Sequence, residues 1–147
     1  MYQPSPGAFL CIAATAGFFV SPDSTDPAVE ESPCKLGTYS GSPGNTACSN
    51  AAPGYYVSTP KALKQLGCTI GTFQSESGKT SCDPATPGHY VSAKEAAEET
   101  PCAIGTYQPD AGADSCLDAE EGYYVEKPGS PVQVACQAGT FSATTKA

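Results

Sequence analysis

Cysteines recur along this chain at a fixed interval, and that regularity limits what it can fold into. Cys34, Cys68, Cys102 and Cys136 are evenly spaced, and Cys48, Cys82 and Cys116 keep the same interval. A fixed period belongs to units that bury their apolar faces against their neighbours rather than around one central core. Each member of the first set opens the pattern C-x-x-G-T-[YF], as CKLGTY, CTIGTF, CAIGTY and CQAGTF. Paired-helix repeats can share this length, but glycine and proline in every unit exclude them here.

Halving the period exposes a smaller unit. Gly37, Gly54, Gly71, Gly88, Gly105, Gly122 and Gly139 recur at half the cysteine interval, and so do Tyr39, Tyr56, Phe73, Tyr90, Tyr107, Tyr124 and Phe141. Two versions alternate. The first reads C-x-x-G-T-[YF]-x4-G-x3-C. The second opens with Ala51, Ala85 or Ala119, continues APGYYV, TPGHYV or EEGYYV, and has Gln65, Glu99 or Gln133 where the closing Cys would fall. The opening and closing positions of a unit are therefore both Cys or both something else.

Residues lost together are most simply partners. This pattern favours Cys34–Cys48, Cys68–Cys82 and Cys102–Cys116, with alternate units lacking the bond altogether. Each bridge would close a loop of about 15 residues, worth roughly 3 kcal/mol in the chain-entropy description. The competing set is Cys11–Cys34, Cys48–Cys68, Cys82–Cys102 and Cys116–Cys136. It uses all eight cysteines but leaves the paired losses unexplained. Zinc is disfavoured, because close C-x-x-C pairs are missing and a single His cannot fill several sites. Regular, even-numbered cysteines point to an oxidising compartment, outside the cell or on its surface.

The units are expected at 14–33, 34–50, 51–67, 68–84, 85–101, 102–118 and 119–135, with partial units at 1–13 and 136–147. Tyr2, Gly7 and Cys11 fit the register of Tyr39, Gly44 and Cys48, and Phe19 and Val20 that of Tyr56 and Val57. A three-residue insertion falls within 21–32. Under the favoured pairing Cys11 and Cys136 have no partner in the chain. Either the chain is a section of a longer array, or Cys136 of one copy meets Cys11 of the next. The segment 7–20 also imitates a signal peptide, but no basic residue precedes it and it is too short to cross a bilayer.

The expected fold is small, disulfide-rich and mainly β. It is an elongated, solenoid-like array of hairpin-like units of about 17 residues, alternately with and without a disulfide. Gly-Thr-Tyr reads as a short strand, and Gly7, Gly44, Gly78 and Gly112 as return turns. The aromatic column Phe19, Tyr39, Tyr56, Phe73, Tyr90, Tyr107, Tyr124 and Phe141 is expected to stack between units. Units without a disulfide gain an aromatic (Phe18, Tyr55, Tyr123, or His89) and a Val (Val20, Val57, Val91, Val125) as compensation. Ser92 to Glu95 reads as a capping box opening a helical turn through Ala96 and Ala97, and Thr59-Pro60 as the start of another.

The unit C-x-x-G-T-[YF]-x4-G-x3-C resembles the cysteine-rich repeats called ephrin-receptor-like. It is also similar to the smallest single-disulfide modules of TNF-receptor-type ectodomains. In that family the next opening Cys follows two residues after a closing one; Ala51, Ala85 and Ala119 stand near that place here. The resemblance implies a rod of stacked units outside the cell, serving as a spacer or contact surface.

Chemistry for catalysis is sparse. His89, the sole imidazole, stands where other units have Phe18, Tyr55 or Tyr123, and reads as an aromatic substitute. Walker, H-E-x-x-H, G-x-S-x-G and EF-hand patterns are missing. No cofactor and no metal is expected. A formal charge of −8 disfavours nucleic acid and anionic membrane surfaces. The acidic groups at Glu95, Glu98 and Glu99, and from Asp114 to Glu121, read as solvated surface. Ser and Thr near Pro suit O-glycosylation on composition. These features predict an extracellular structural protein whose partners are further copies of itself or adjacent repeats. The second expectation is a binding segment of a surface receptor, with the insertion as its contact.

Overall fold

In the computed structural model, which describes residues 12–21 and 30–141, the backbone turns sharply at every glycine of the repeat. Eight turns share one hydrogen bond, from residue i+3 back to the carbonyl of residue i. They include Thr38 N–H to Lys35, Tyr55 to Ala52, Thr72 to Thr69 and His89 to Thr86, at 2.9–3.1 Å. Glycine occupies the third place of each turn with φ between 79° and 88°. A type II turn requires such a positive φ, which L side chains disfavour. This is why glycine recurs once in every unit.

Each of the first seven turns launches a two-residue strand that folds back on another just before the next unit. Seven two-stranded antiparallel hairpins follow one another along the sequence. They are β1 (Phe18–Phe19) with β2 (Ser32–Pro33), β3 (Thr38–Tyr39) with β4 (Ser49–Asn50), β5 (Tyr55–Tyr56) with β6 (Leu66–Gly67), and β7 (Thr72–Phe73) with β8 (Asp83–Pro84). Then come β9 (His89–Tyr90) with β10 (Thr100–Pro101), β11 (Thr106–Tyr107) with β12 (Leu117–Asp118), and β13 (Tyr123–Tyr124) with β14 (Val134–Ala135). Tyr39 lies opposite Ser49, Phe73 opposite Asp83, and Tyr107 opposite Leu117. The mainly β, disulfide-alternating architecture expected from the spacing is therefore present.

The chain divides into two compact units, Met1–Leu66 with Glu76–Ser81, and Gly67–Ser75 with Cys82–Ala147. Within the first, neighbouring hairpins dock through main-chain bonds. Gly17 N–H donates to Ser40 O, and Gly37 N–H to Val57 O; Ser40 and Val57 then donate to Ala62 O and Lys79 O. Bonds return from Gly44 to Ala14 O, Lys61 to Cys34 O and Gly78 to Ala51 O. The second unit repeats the register. Gly71, Gly88 and Gly105 donate to Val91, Gln108 and Val125, while Glu95, Gly112 and Gly129 donate back to Cys68, Ala85 and Cys102.

Glycine is needed for space as well as conformation. A methyl group on Gly71 would collide with the Gly112 carbonyl, two hairpins further along, and one on Gly37 would collide with that of Gly78. So within a compact unit a hairpin can touch not only its successor but the one after.

The expected helical turns do not form; the described residues contain no helix. Lys61 and Glu95 instead adopt left-handed conformations, φ 58° and 59°, where equivalent hairpins have Gly44, Gly78, Gly112 and Gly129. The capping box at Ser92 to Glu95 fails because Glu95 N–H is committed to Cys68 O at 2.8 Å. A helix would have turned that donor inward on its own segment.

The buried core runs along two columns that are not aromatic. One is the opening position of each unit, with Ala14, Cys34, Ala51, Cys68, Ala85, Cys102 and Ala119 all at most 4 % exposed. The other lies three places after the turn glycine: Ser40, Val57, Gln74, Val91, Gln108 and Val125. Buried Val marks the hairpins without a disulfide, and the disulfide hairpins have Ser or Gln. Ser40 Oγ accepts from Asn45 Nδ2 at 2.7 Å. Gln108 Nε2 donates to Ser115 O at 2.8 Å. Gln74 Nε2, on the third polar side chain of the column, donates to Asp83 Oδ2 at 3.5 Å, so each buried polar side chain has a partner. The aromatics Phe19, Tyr39, Tyr56, Phe73, Tyr90, Tyr107 and Tyr124 are half-buried, and Phe141 is 83 % exposed.

Candidate functional site

What distinguishes one hairpin from the next is how its loop is closed. Three closures are covalent. Cys34–Cys48, Cys68–Cys82 and Cys102–Cys116 are bonded, with Cα–Cα distances of 5.7–5.8 Å and equal sequence separations. The competing pairing is not adopted. Cys136 is a free thiol, half-buried at the opening position of its unit. Cys11 lies outside the described residues.

The other four hairpins are closed by a side-chain oxygen at the same place. Gln65 Oε1 accepts the Ala52 N–H at 2.7 Å, and Gln133 Oε1 accepts that of Glu120 at 2.8 Å. Glu99 Oε2 accepts the Thr86 N–H at 2.6 Å while its Oε1 accepts the Thr86 hydroxyl at 2.8 Å. Glu31 holds Thr15 in the same two-pronged way, at 2.7 Å to the N–H and 3.0 Å to the hydroxyl. Carboxylate latches thus meet Thr, which offers two donors; amide latches meet Ala or Glu, which offer only the backbone one. The three-residue insertion is absorbed between Val20 and Glu31, and most of it lies outside the described residues.

Sequence reading alone does not pick out the latches. It shows Gln65, Glu99 and Gln133 filling the closing position, but it assigns compensation to the extra aromatic and Val. The available signal is that every disulfide-free unit has a side-chain oxygen acceptor there. Disulfide hairpins use a different local bond: Thr38, Thr72 and Thr106 donate Oγ1–H to the first carbonyl of their own turn at 2.8 Å, and Thr140, in the unit opened by the free Cys136, does the same at 2.7 Å. Latched hairpins have Phe18, Tyr55, His89 or Tyr123 at that Thr position.

His89 sits beside one latch. Its Nδ1 is 3.2 Å from Thr86 Oγ1 and 4.0 Å from Glu99 Oε1. A nucleophile–base–acid relay needs hydroxyl and carboxylate on opposite ring nitrogens. Here both approach Nδ1, and the Thr86 hydroxyl is already donated to Glu99. This cluster closes a loop. Among the described residues no group of three or more His, Cys, Asp or Glu is arranged to hold a metal ion.

A cleft of about 430 Å³ is lined by Ile12, Ala14, Thr15, Phe18, Val20 and Glu30, among others. Val20 and Glu30 flank the insertion. Lys61 Nζ stands 4.9 Å from the centre of the Phe18 ring. On the outer surface Lys79 and Glu76 pair at 2.6 Å, which holds the Glu76 carboxyl below its ordinary range through hydrogen bond and charge. Three disulfides within the chain belong to an oxidising environment. No described helix is long and apolar enough to cross a membrane. No family model matches the chain, and no curated protein matches it significantly.

Proposed function

We propose that this chain is part of an extracellular structural protein, the shaft or a subunit of a filament, appendage, wall or matrix. The observation that carries the reading is the docking of hairpins through main-chain bonds in one recurring register. Such an interface can be extended by more units of the same kind, from adjacent repeats or further copies, without new side-chain recognition. The resemblance to ephrin-receptor-like repeats supports the same role, and the disulfides suit secretion. Small-angle scattering and electron microscopy on material containing the full-length protein test it. Elongated particles or end-to-end assemblies are expected; a monodisperse compact monomer overturns the reading. Non-reducing electrophoresis tests covalent joining through Cys136, which predicts a ladder of multimers that collapses on reduction.

A second reading, a ligand-binding segment of a surface receptor, is favoured by the cleft beside the insertion. Ligand recognition breaks repeat symmetry, and this is where the repeat register is broken. Deleting three residues between Pro22 and Glu30 should then abolish capture of the partner, and unchanged capture excludes it.

A further inference from the structure

We propose that alternating covalent and hydrogen-bonded closures make the chain a two-tier extensible link, in which latched hairpins open and reclose under tension while disulfide hairpins stay shut. The inference rests on the structural reading above, since a shaft or matrix strand bears load along its length.

Tension follows the shortest covalent path. At Cys34 it crosses the disulfide to Cys48, so residues 35–47 carry none of it. The same holds for 69–81 and 103–115. Segments 51–65, 85–99 and 119–133 have no such bypass. Their loops are held by Gln65, Glu99 and Gln133 on the N–H groups of Ala52, Thr86 and Glu120. Hydrogen bonds yield at loads that leave an S–S bond intact, so these loops open first.

Reclosure is guided by what does not move. Gly37, Gly71 and Gly105 lie in the bypassed loops, and they donate to Val57 O, Val91 O and Val125 O of the latched hairpins. Lys79 O and Ala113 O, also bypassed, accept from Val57 and Val91 N–H. Gly78 and Gly112 return bonds to Ala51 O and Ala85 O. An opened latched hairpin therefore has main-chain partners on hairpins that remain covalently closed, and it redocks in its original register.

Single-molecule pulling on the whole chain, held at its two ends, tests this. Fourteen residue steps span about 50 Å when extended, against 5.7–5.8 Å across a disulfide. Dithiothreitol, which reduces each bridge by taking up its own, should add about 45 Å of contour length per hairpin, roughly 130 Å in all. With the bridges intact, extension should be reversible over repeated cycles; after reduction, the refolded fraction per cycle should fall. The double variant Ala51→Cys/Gln65→Cys, oxidised, should lose about 45 Å of contour length and one refolding step. Oxidised chains that fail to reclose, or reclose no better than reduced ones, overturn the proposal. The measurement is made on one chain, so its outcome is separate from whether copies assemble. Reversible pulling with a compact monomer in scattering removes the structural reading and leaves the two tiers standing.

Discussion

Gly71 and Gly112 look alike in the sequence but answer to different constraints, and alanine separates them. Gly71 has φ +82° and faces the Gly112 carbonyl with no room for a methyl group. Gly112 has φ +75°, and its added methyl would meet Pro84 Cβ at an ordinary 3.7 Å. Gly112→Ala should cost only the left-handed backbone, about 1–2 kcal/mol. Gly71→Ala should cost that plus displacement of a packed hairpin, about 3 kcal/mol or more. Urea denaturation of the oxidised proteins decides it, and equal losses would mean the contact two hairpins along is unimportant. Glu95 gives the converse case, a non-glycine residue at φ 59°. Glu95→Gly should stabilise by about 1 kcal/mol, less what glycine adds to the disorder of the unfolded chain. A fall in midpoint would contradict the strain. The glycine column was legible because only glycine suits the third place of a type II turn. Lys61 and Glu95 were not, because long-range bonds to Cys34 O and Cys68 O impose a conformation their local sequence does not request.

At the level of the hairpin, the two closures differ in strength but occupy the same place. Gln65→Ala leaves the half-buried Ala52 N–H without its acceptor and should cost about 1 kcal/mol. Glu99→Gln keeps an oxygen for the Thr86 N–H and should cost less than Glu99→Ala. Breaking a bridge is heavier: Cys68→Ser with Cys82→Ser should cost about 2–5 kcal/mol. Thermal unfolding should place every latch variant above the bridge variant, and a latch variant as damaging as the bridge variant would refute the division. Disulfide pairing was readable because cysteines are lost in pairs. The latch was harder to see, since Gln and Glu are ordinary surface residues and only their common register marks them. The most deeply buried columns were harder to read for a related reason. Aromatics attract attention by size, yet most of them are only half-buried, while the Ala and Cys at the opening position are the least exposed apolar side chains together with the Val column.

For the whole chain, the natural unit of change is two hairpins. Removing residues 68–101 joins Gly67 to Cys102 and leaves every closure type followed by its opposite. Main-chain donors and acceptors keep their spacing, Val still alternates with Ser or Gln in the core, and the turn presented to Gly37 becomes Gly112 instead of Gly78, another glycine of positive φ. Stability should then fall mainly by the loss of two nearest-neighbour interfaces, with cooperative unfolding retained and a denaturant slope lower by about a quarter, in proportion to length. Removing only 51–67 brings two disulfide hairpins into succession. Ser40 and Gln74, buried and polar, would become neighbours in the column with no Val between them, and two Thr-bearing turns would meet where an aromatic is due. The shorter deletion should therefore damage the fold more than the longer one. Denaturant titration of both, followed by circular dichroism and by protection of Cys102 and Cys116 from alkylation under mild reductant, provides the comparison. If the shorter deletion proves the more stable of the two, the hairpins are interchangeable and the alternation has no structural role.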